Sequence, residues 1–357
     1  MASTSKAAAT KLILTPSMTL KGHGNFIGSI SYFPDGQRMI SGSHDKTARQ
    51  WDLKKGKEIE EVREVCEELV WAVAVSSDSR WVVTGGGHWG DAGSAELKVC
   101  EVETGVVKKL QGHLRRITCL DISADNTLLA SGSFDKTARI WNLETGKLVA
   151  SPVEFDGLVG SVGTVRFSTD SKKLAVELWG GTCLEVWDVQ SQKLDKRIGN
   201  GSGLYASAPI FWTNNNKNIL AAFSFTEDDR HAKTIYEFDA STLETVGTPF
   251  EGHSKHVSGL ALSFDGALLA SSSWDYTIKL WAFESRQLLA SFDVQNPDVL
   301  ILSPDSRKLA YTTYTDTGDV RYTYKDHRIC ICDTPPDILA RAQARVRNSL
   351  TLSLSVC

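Results

Sequence analysis

A repeat with a period near 45 residues limits what this chain can fold into more than any other feature. The segment Ser41–Trp51 (SGSHDKTARQW) returns as Ser131–Trp141 (SGSFDKTARIW) and, more loosely, as Ser271–Trp281 (SSSWDYTIKLW). A Gly-His pair precedes each copy at a fixed distance. Gly22, Gly112 and Gly252 lie 29 residues before Trp51, Trp141 and Trp281, and His23, His113 and His253 lie 22 residues before Asp45, Asp135 and Asp275. Two independent spacings, each kept three times, mark a repeated structural unit.

The copies begin 90 and 140 residues apart, close to two and three units, so degenerate units must stand between them. Turn signals find them: Pro34-Asp35-Gly36, Ser77-Asp78-Ser79, Ala124-Asp125-Asn126, Thr169-Asp170-Ser171, Thr213-Asn214-Asn215, Phe264-Asp265-Gly266 and Pro304-Asp305-Ser306. These residue types suit a tight reversal between two strands, and short β-rich runs such as Ile117–Ile122 flank them. A second marker closes each third strand: Trp51-Asp52, Cys100-Glu101, Trp141-Asn142, Trp187-Asp188, Phe238-Asp239, Trp281-Ala282 and Cys332-Asp333. The count is seven units, starting near residues 20, 65, 111, 155, 203, 251 and 293. Units of several short strands at this period imply radial blades rather than a helical solenoid. The expected fold is all-β: a seven-bladed propeller of four-stranded antiparallel blades.

In these residues the chain resembles the WD40-repeat propellers, with repeats like those of G-protein β subunits, across about residues 11–333. The resemblance implies a hydrogen-bonded tetrad within a blade. The matching sets are His23/Ser41/Asp45/Trp51, His113/Ser131/Asp135/Trp141 and His253/Ser271/Asp275/Trp281. The chemistry is reasonable in itself. A buried indole N–H needs an acceptor, a hydroxyl can relay the bond to an imidazole, and a carboxylate fixes the imidazole tautomer. Asp, His and Ser also suggest a hydrolase triad, but three copies at one spacing, each with a tryptophan, read as scaffold parts. No enzyme activity and no cofactor are expected. Units two, four, five and seven lack the full set and should be held by strand packing. Members of the family that serve cullin-based ubiquitin ligases commonly carry an arginine two residues past the Trp-Asp aspartate. Lys54, Glu144, Gln190 and Glu284 stand there instead, which counts against that role.

A ring must hide its last strand edge. Thr334-Pro335-Pro336 cannot continue a ladder after Asp333, so the last blade needs a strand from elsewhere. The apolar run Lys11–Thr15 is the expected supplier, after a flexible leader at 1–10. Removing residues 1–16 should then lower the melting temperature sharply. Beyond the ring, residues 334–357 form a basic tail with Arg341, Arg345 and Arg347, in which Ile338–Val346 has the spacing of a short helix; the tail is expected to be solvated rather than docked.

Composition narrows the environment. A formal net charge of −4 argues against general affinity for nucleic acid or an anionic membrane. No apolar run approaches the roughly 18 residues that span a bilayer, so the chain reads as cytoplasmic or nuclear. Its seven cysteines are scattered and contain no C-x-x-C pair, as expected of free packing thiols.

Function must then be sought on the faces of the ring. By the resemblance, the residue before each tetrad Asp lies on the upper face, where His44, Phe134 and Trp274 stand, with Trp89 and Trp179 in similar loops. The loops after Gly-His add Phe26, Arg115, Arg116, Lys255 and His256. Aromatic residues rimmed by cations suit protein or peptide partners, acidic or phosphorylated ones in particular. Gly85–Gly90 is Gly-rich, yet it joins two strands and lacks the helix N-terminus that a phosphate-cradling loop needs. The Glu227–His231 tip reads as a solvated loop, not a metal site. The leading expectation is a monomeric, non-catalytic interaction scaffold working inside a complex. The alternative is a sensor propeller derived from a signalling NTPase, without a P-loop of its own.

Overall fold

Short strands, mostly of six residues, joined by turns that carry Asp in every blade but the fifth make each repeat one antiparallel sheet. The turn aspartate locks the reversal, as when Asp35 Oδ1 accepts the Gln37 N–H at 2.8 Å. The next residue takes a positive φ (Gly36 64°, Ser79 61°, Asn126 58°), which Gly, Asn and Ser tolerate better than branched side chains. The computed structural model describes residues 12–60, 64–88, 93–149, 153–154, 160–200, 208–226, 232–316 and 324–344.

Seven blades surround a central channel. Blade 1 runs from its inner strand Ile27–Tyr32 through Arg38–Ser43 and Thr47–Asp52 to an outer edge of Lys57–Glu58 and Glu64–Val65. Blade 2 is Val70–Val75, Trp81–Gly86, Glu96–Glu101 and Val107–Lys109. Blade 3 is Ile117–Ile122, Leu128–Ser133, Thr137–Asn142 and Val153–Glu154. Blade 4 is Val162–Phe167, Lys173–Leu178, Cys183–Asp188 and Lys193–Gly199. Blade 5 has Phe211–Thr213, Asn218–Phe223 and Thr234–Asp239, with its outer edge reduced to the pairings Phe238–Thr245 and Ile235–Phe250. Blade 6 is Val257–Leu262, Leu268–Ser273, Thr277–Ala282 and Gln287–Asp293. Blade 7 contributes Leu300–Leu302, Lys308–Asp316 and Tyr324–Asp333.

The period-2 alternation of side chains sends each strand's two faces to two different neighbours. Ile329 and Ile331 of blade 7 pack toward blade 1, whereas Cys330 and Cys332 pack toward blade 6. The core is accordingly divided into seven apolar clusters, one between each adjacent pair of blades. The glycine of the repeated SGS segment is explained here. A Cβ on Gly132 would stand 2.4 Å from Val162 Cγ1, on the inner strand of the next blade. The buried thiols are inert packing groups: burial pushes Cys66, Cys183 and Cys332 up to about 12.

An N-terminal strand does close the ring, but a different one from that expected. Met18–Lys21 pairs antiparallel with Tyr324–Asp333 and completes blade 7, burying Leu20. Within the run at 11–15, Leu12–Ile13 instead pairs in parallel with the outer strand of blade 6, as a fifth strand. The edge left by Asp333 needed a partner that could run antiparallel to it, and the segment adjoining the Gly-His pair is placed to do so.

The tail also departs from expectation. Residues 336–344 form a helix, opened by Pro336 at its first position, where the missing N–H costs nothing. Ile338 (3% exposed) and Ala342 (1%) are buried in the apolar cluster of blades 6 and 7, and Gln343 Nε2 donates to Asp265 Oδ2 at 2.8 Å. Arg345, Arg347 and the rest of the tail lie outside the described residues.

Candidate functional site

The three tetrads form as parts of the scaffold. In blade 3, Trp141 Nε1 donates to Ser131 Oγ (2.8 Å), Ser131 Oγ lies 2.8 Å from His113 Nε2, and His113 Nδ1 lies 2.9 Å from Asp135 Oδ2. Blades 1 and 6 repeat this with distances of 2.7–2.9 Å. Burial lowers the His113 and His253 imidazoles. The neutral tautomer then donates from Nδ1 to the carboxylate and accepts the serine hydroxyl at Nε2. Burial alone would raise Asp45, Asp135 and Asp275. The hydrogen bonds from histidine and threonine outweigh it and hold all three well below the usual carboxylate range. A fifth member, not anticipated, is the threonine two residues after each Asp: Thr47, Thr137 and Thr277 donate to the second carboxylate oxygen at 2.6–2.7 Å. Ser41, Ser131 and Ser271 are 0% exposed. A nucleophile sealed in this way cannot reach a substrate, so the trio has no hydrolase geometry.

What the tetrads do hold is the upper face. The Asp45, Asp135 and Asp275 carboxylates also accept the N–H of Gly24, Leu114 and Ser254, in the loops that enter the inner strands. The residue before each Asp is tied to the same loops through its backbone: His44 N–H to Phe26 O (2.8 Å), Phe134 N–H to Arg116 O (3.0 Å) and Trp274 N–H to His256 O (3.0 Å). Trp179 makes the equivalent bond to Ser161 O in blade 4 without a tetrad. In blades 1, 3, 4 and 6 this position therefore presents one aromatic side chain each, whereas in blade 2 it is Gly87.

Those side chains form two groups. In the first, His44 packs tilted against Trp71 (centroids 4.1 Å apart) and Phe26 (5.1 Å), while Phe134 meets Trp179 edge to face (5.3 Å). Arg116 joins them, its guanidinium 4.0 Å from the Phe134 ring, 4.8 Å from Trp71 and 5.3 Å from Trp179. The reading of Arg116 as a rim cation is thus corrected: it is 1% exposed and ties blades 2, 3 and 4 together. Gly87 makes room for it, since a Cβ there would lie 2.6 Å from Arg116 Cα. His44 is lowered to about 4 by burial first, then by Arg116 and His327, and is neutral at physiological pH. The second group is accessible. Trp274 is 37% exposed and Tyr276 53%, with exposed Lys255 placing Nζ 5.4 Å over the Tyr276 ring. Arg115 is exposed as well, 5.9 Å from the Phe134 ring. Trp89 lies outside the described residues.

Sequence reasoning missed Trp71, Tyr276 and Tyr314, which line the same opening. Tyr276 had a signal. It occupies the turn position held by Lys46 and Lys136 in the sister repeats, at φ values of 63°, 67° and 67°. A bulky ring in the left-handed region is strained, and strain of that kind collects at functional positions.

The opening leads into a channel of about 1300 Å³. At its neck, the level where the inner strands begin, six blades present an equivalent residue: Gly28, Trp71, Thr118, Gly163, Ser258 and Asp298; the blade 5 equivalent, Ala208, is buried in the apolar core instead. Five of these are the bulged residues at which the ladder register shifts. A bulge turns its side chain out of the ladder.

Two of the degenerate blades, 4 and 5, carry buried carboxylates in addition to their strand packing. In blade 4, Trp187 Nε1 donates to Glu185 Oε2 at 2.7 Å, and Arg197 also pairs with this glutamate, which is 0% exposed. In blade 5, Glu237 accepts from Thr213 (2.6 Å), Asn218 (2.9 Å) and Arg286 of blade 6.

Comparison with known proteins agrees with this architecture. The family described as "WD domain, G-beta repeat" matches residues 14–52, 62–91, 105–142 and 243–282. Similar proteins include Periodic tryptophan protein 2 of Arabidopsis thaliana, 29% identical over 262 residues, covering 68% of this chain and 27% of that one. A guanine nucleotide-binding protein subunit beta of Oryza sativa subsp. japonica is 25% identical over 281 residues, with 76% and 60% covered. Apoptotic protease-activating factor 1 of Rattus norvegicus is 24% identical over 300 residues, with 75% and 23% covered. The chain therefore spans less than two thirds of the length of each of these three relatives.

Proposed function

This chain belongs to the WD40-repeat β-propellers, and from that premise we propose that it is a non-catalytic scaffold that binds a protein or peptide partner on its upper face. The observation that carries the reading is the exposed pair Trp274 and Tyr276, flanked by Lys255 and mounted on a tetrad-braced turn. Large rings with one polar edge, held rigidly at a surface, are the usual anchors of protein interfaces. Lys255 and Arg115 would favour carboxylates or a phosphate in the partner segments that cross the rim. The half-buried group around Arg116 supports this surface from below and is not its contact area.

A second reading, a regulatory propeller belonging to a larger signalling protein, has in its favour the match that covers 23% of an apoptotic protease-activating factor. It would use the same face. Lys54, Glu144, Gln190 and Glu284, standing where ligase receptors of the family commonly carry arginine, weigh against a ubiquitin-ligase role.

The test is affinity capture with wild type, a Trp274→Ala/Tyr276→Ala variant, and Phe264→Ala. Phe264, 94% exposed, sits in a turn on the opposite face and serves as the control. The double variant should lose specific partners that the control retains. Equal recovery of every partner by all three proteins would refute the assignment.

A further inference from the structure

The neck of the channel holds one ionisable side chain, Asp298, and among the described residues no cation pairs with it. Among the described residues Asp298 makes hydrogen bonds only through its backbone. Its N–H donates to Thr312 O at 3.1 Å, and its carbonyl accepts Ser272 Oγ at 2.7 Å. The cations that line the channel are engaged elsewhere: Arg166 pairs with Asp121 at 3.2 Å, and Lys255 lies over Tyr276. Arg116, near the opening, is enclosed by three rings. Burial alone pushes the Asp298 carboxyl up to about 7. Yet the residue is not sealed away, for its side chain borders the channel and keeps some solvent exposure.

An unpaired, desolvated carboxyl in the channel wall destabilises a fold, and a neutral residue there would cost less. Such a local violation is expected where a ligand completes the site. We infer that the neck receives a cationic side chain, the ammonium of a lysine or the guanidinium of an arginine, borne by the partner and inserted from the upper face to pair with Asp298. Trp71 and Tyr314 line the approach, and Ser258 and Thr118 stand at the same level. The inference rests on the upper face being the docking surface, and it adds a sequence requirement. The partner presents one basic residue to the neck, while its flanking acidic groups meet Lys255 and Arg115.

The test uses the full chain and three small probes: N-acetyl-arginine amide, N-acetyl-lysine amide and the uncharged N-acetyl-norleucine amide. The reporter is the Trp71 indole N–H signal in NMR spectra, assigned with Trp71→Phe; this N–H donates to Gly87 O at 3.0 Å. At least one cationic probe should shift that signal saturably, norleucine amide should not, and Asp298→Asn should weaken the cationic probe at least tenfold. Asp298→Asn should melt no lower than wild type, and Asp298→Ser repeats the comparison if the first variant fails to fold. Equal shifts from the neutral probe, unchanged binding by both variants, or no binding of either cation by wild type would overturn the inference. If neither cation binds while Trp274→Ala/Tyr276→Ala still loses its partners, the neck assignment falls and the interaction face stands.

Discussion

Replacing Ser131 by alanine removes a single oxygen, and the structure sets what that should cost. Ser131 Oγ accepts Trp141 Nε1–H at 2.8 Å and sits 2.8 Å from His113 Nε2, in a site with no solvent access. The variant strands both an indole donor and an imidazole acceptor. Each buried polar group left without a partner costs about 1–3 kcal/mol, so the total should be about 2–6 kcal/mol. With an unfolding entropy of about 2.1 cal/mol/K per residue, ~3 kcal/mol corresponds to a fall of roughly 4 °C in Tm for a chain of this size. The loss should be coupled to the tryptophan. Trp141→Phe removes the donor in advance, so the double variant strands only His113 and should cost about 1–3 kcal/mol less than the sum of the single variants. The assay is thermal unfolding of the four proteins of the cycle, with hydrogen exchange followed in Thr137–Asn142. A Ser131→Ala loss below about 0.5 kcal/mol, or strict additivity in the cycle, would refute the account of the tetrad as a hydrogen-bonded structural unit.

Two further outcomes follow from the same physics. Stability should fall on acidification. His113, His253 and His44 titrate lower when folded than when unfolded, so the unfolded chain takes up protons first as pH drops below about 6.5. The depressed Asp45, Asp135 and Asp275 add stability that is complete above about pH 4 and is lost as pH falls through their lower folded values. The raised carboxyls of Asp298, Asp121, Glu64 and Glu185 gain stability on acidification and oppose this trend, so the histidine contribution is read by difference. His44→Asn should show a shallower fall of Tm from pH 6.5 to 5 than wild type, and an equal or steeper fall would contradict the assignment. Truncation should distinguish the two N-terminal segments. Loss of residues 1–16 removes the two-residue strand and Leu14 and should lower Tm by a few degrees, whereas loss of 1–21 also removes the closing strand of blade 7 and should abolish a cooperative melt. Equal melting of the two truncated chains would disprove closure by Met18–Lys21.

The fold was readable because its information is local and repeated. A Gly-His pair, a turn aspartate and a terminal Trp each carry their own spacing, and seven turn signals count the blades even where the tetrads fail. The closing strand was misplaced because Lys11–Thr15 and Met18–Lys21 have similar β propensity, and only three-dimensional register selects between them. The tail helix was undervalued for a related reason. Ile338 and Ala342 gain their burial from a groove between two blades that no local pattern reveals. At the site, His44, Phe134, Trp179 and Trp274 fell into equivalent positions by repeat register alone. The fate of Arg116 did not, because it depends on the absence of a side chain at Gly87, in a neighbouring blade. Asp298 was hidden in the same way: its position at the start of the inner strand has no motif, and only the alignment of the blades shows that one such residue is ionisable. The polar networks around Glu185 and Glu237 join residues whose spacing differs from blade to blade, so no repeat announces them.

The account's central claim is that tetrad-braced turns present the upper face to a partner. Hydrogen-exchange footprinting of the chain in complex with a captured partner tests it most directly. Protection should appear at 255–256 and 274–276, with the turn around Phe264 and the helix at 336–344 unchanged. Protection confined to that opposite face, or to the outer strands, would contradict it.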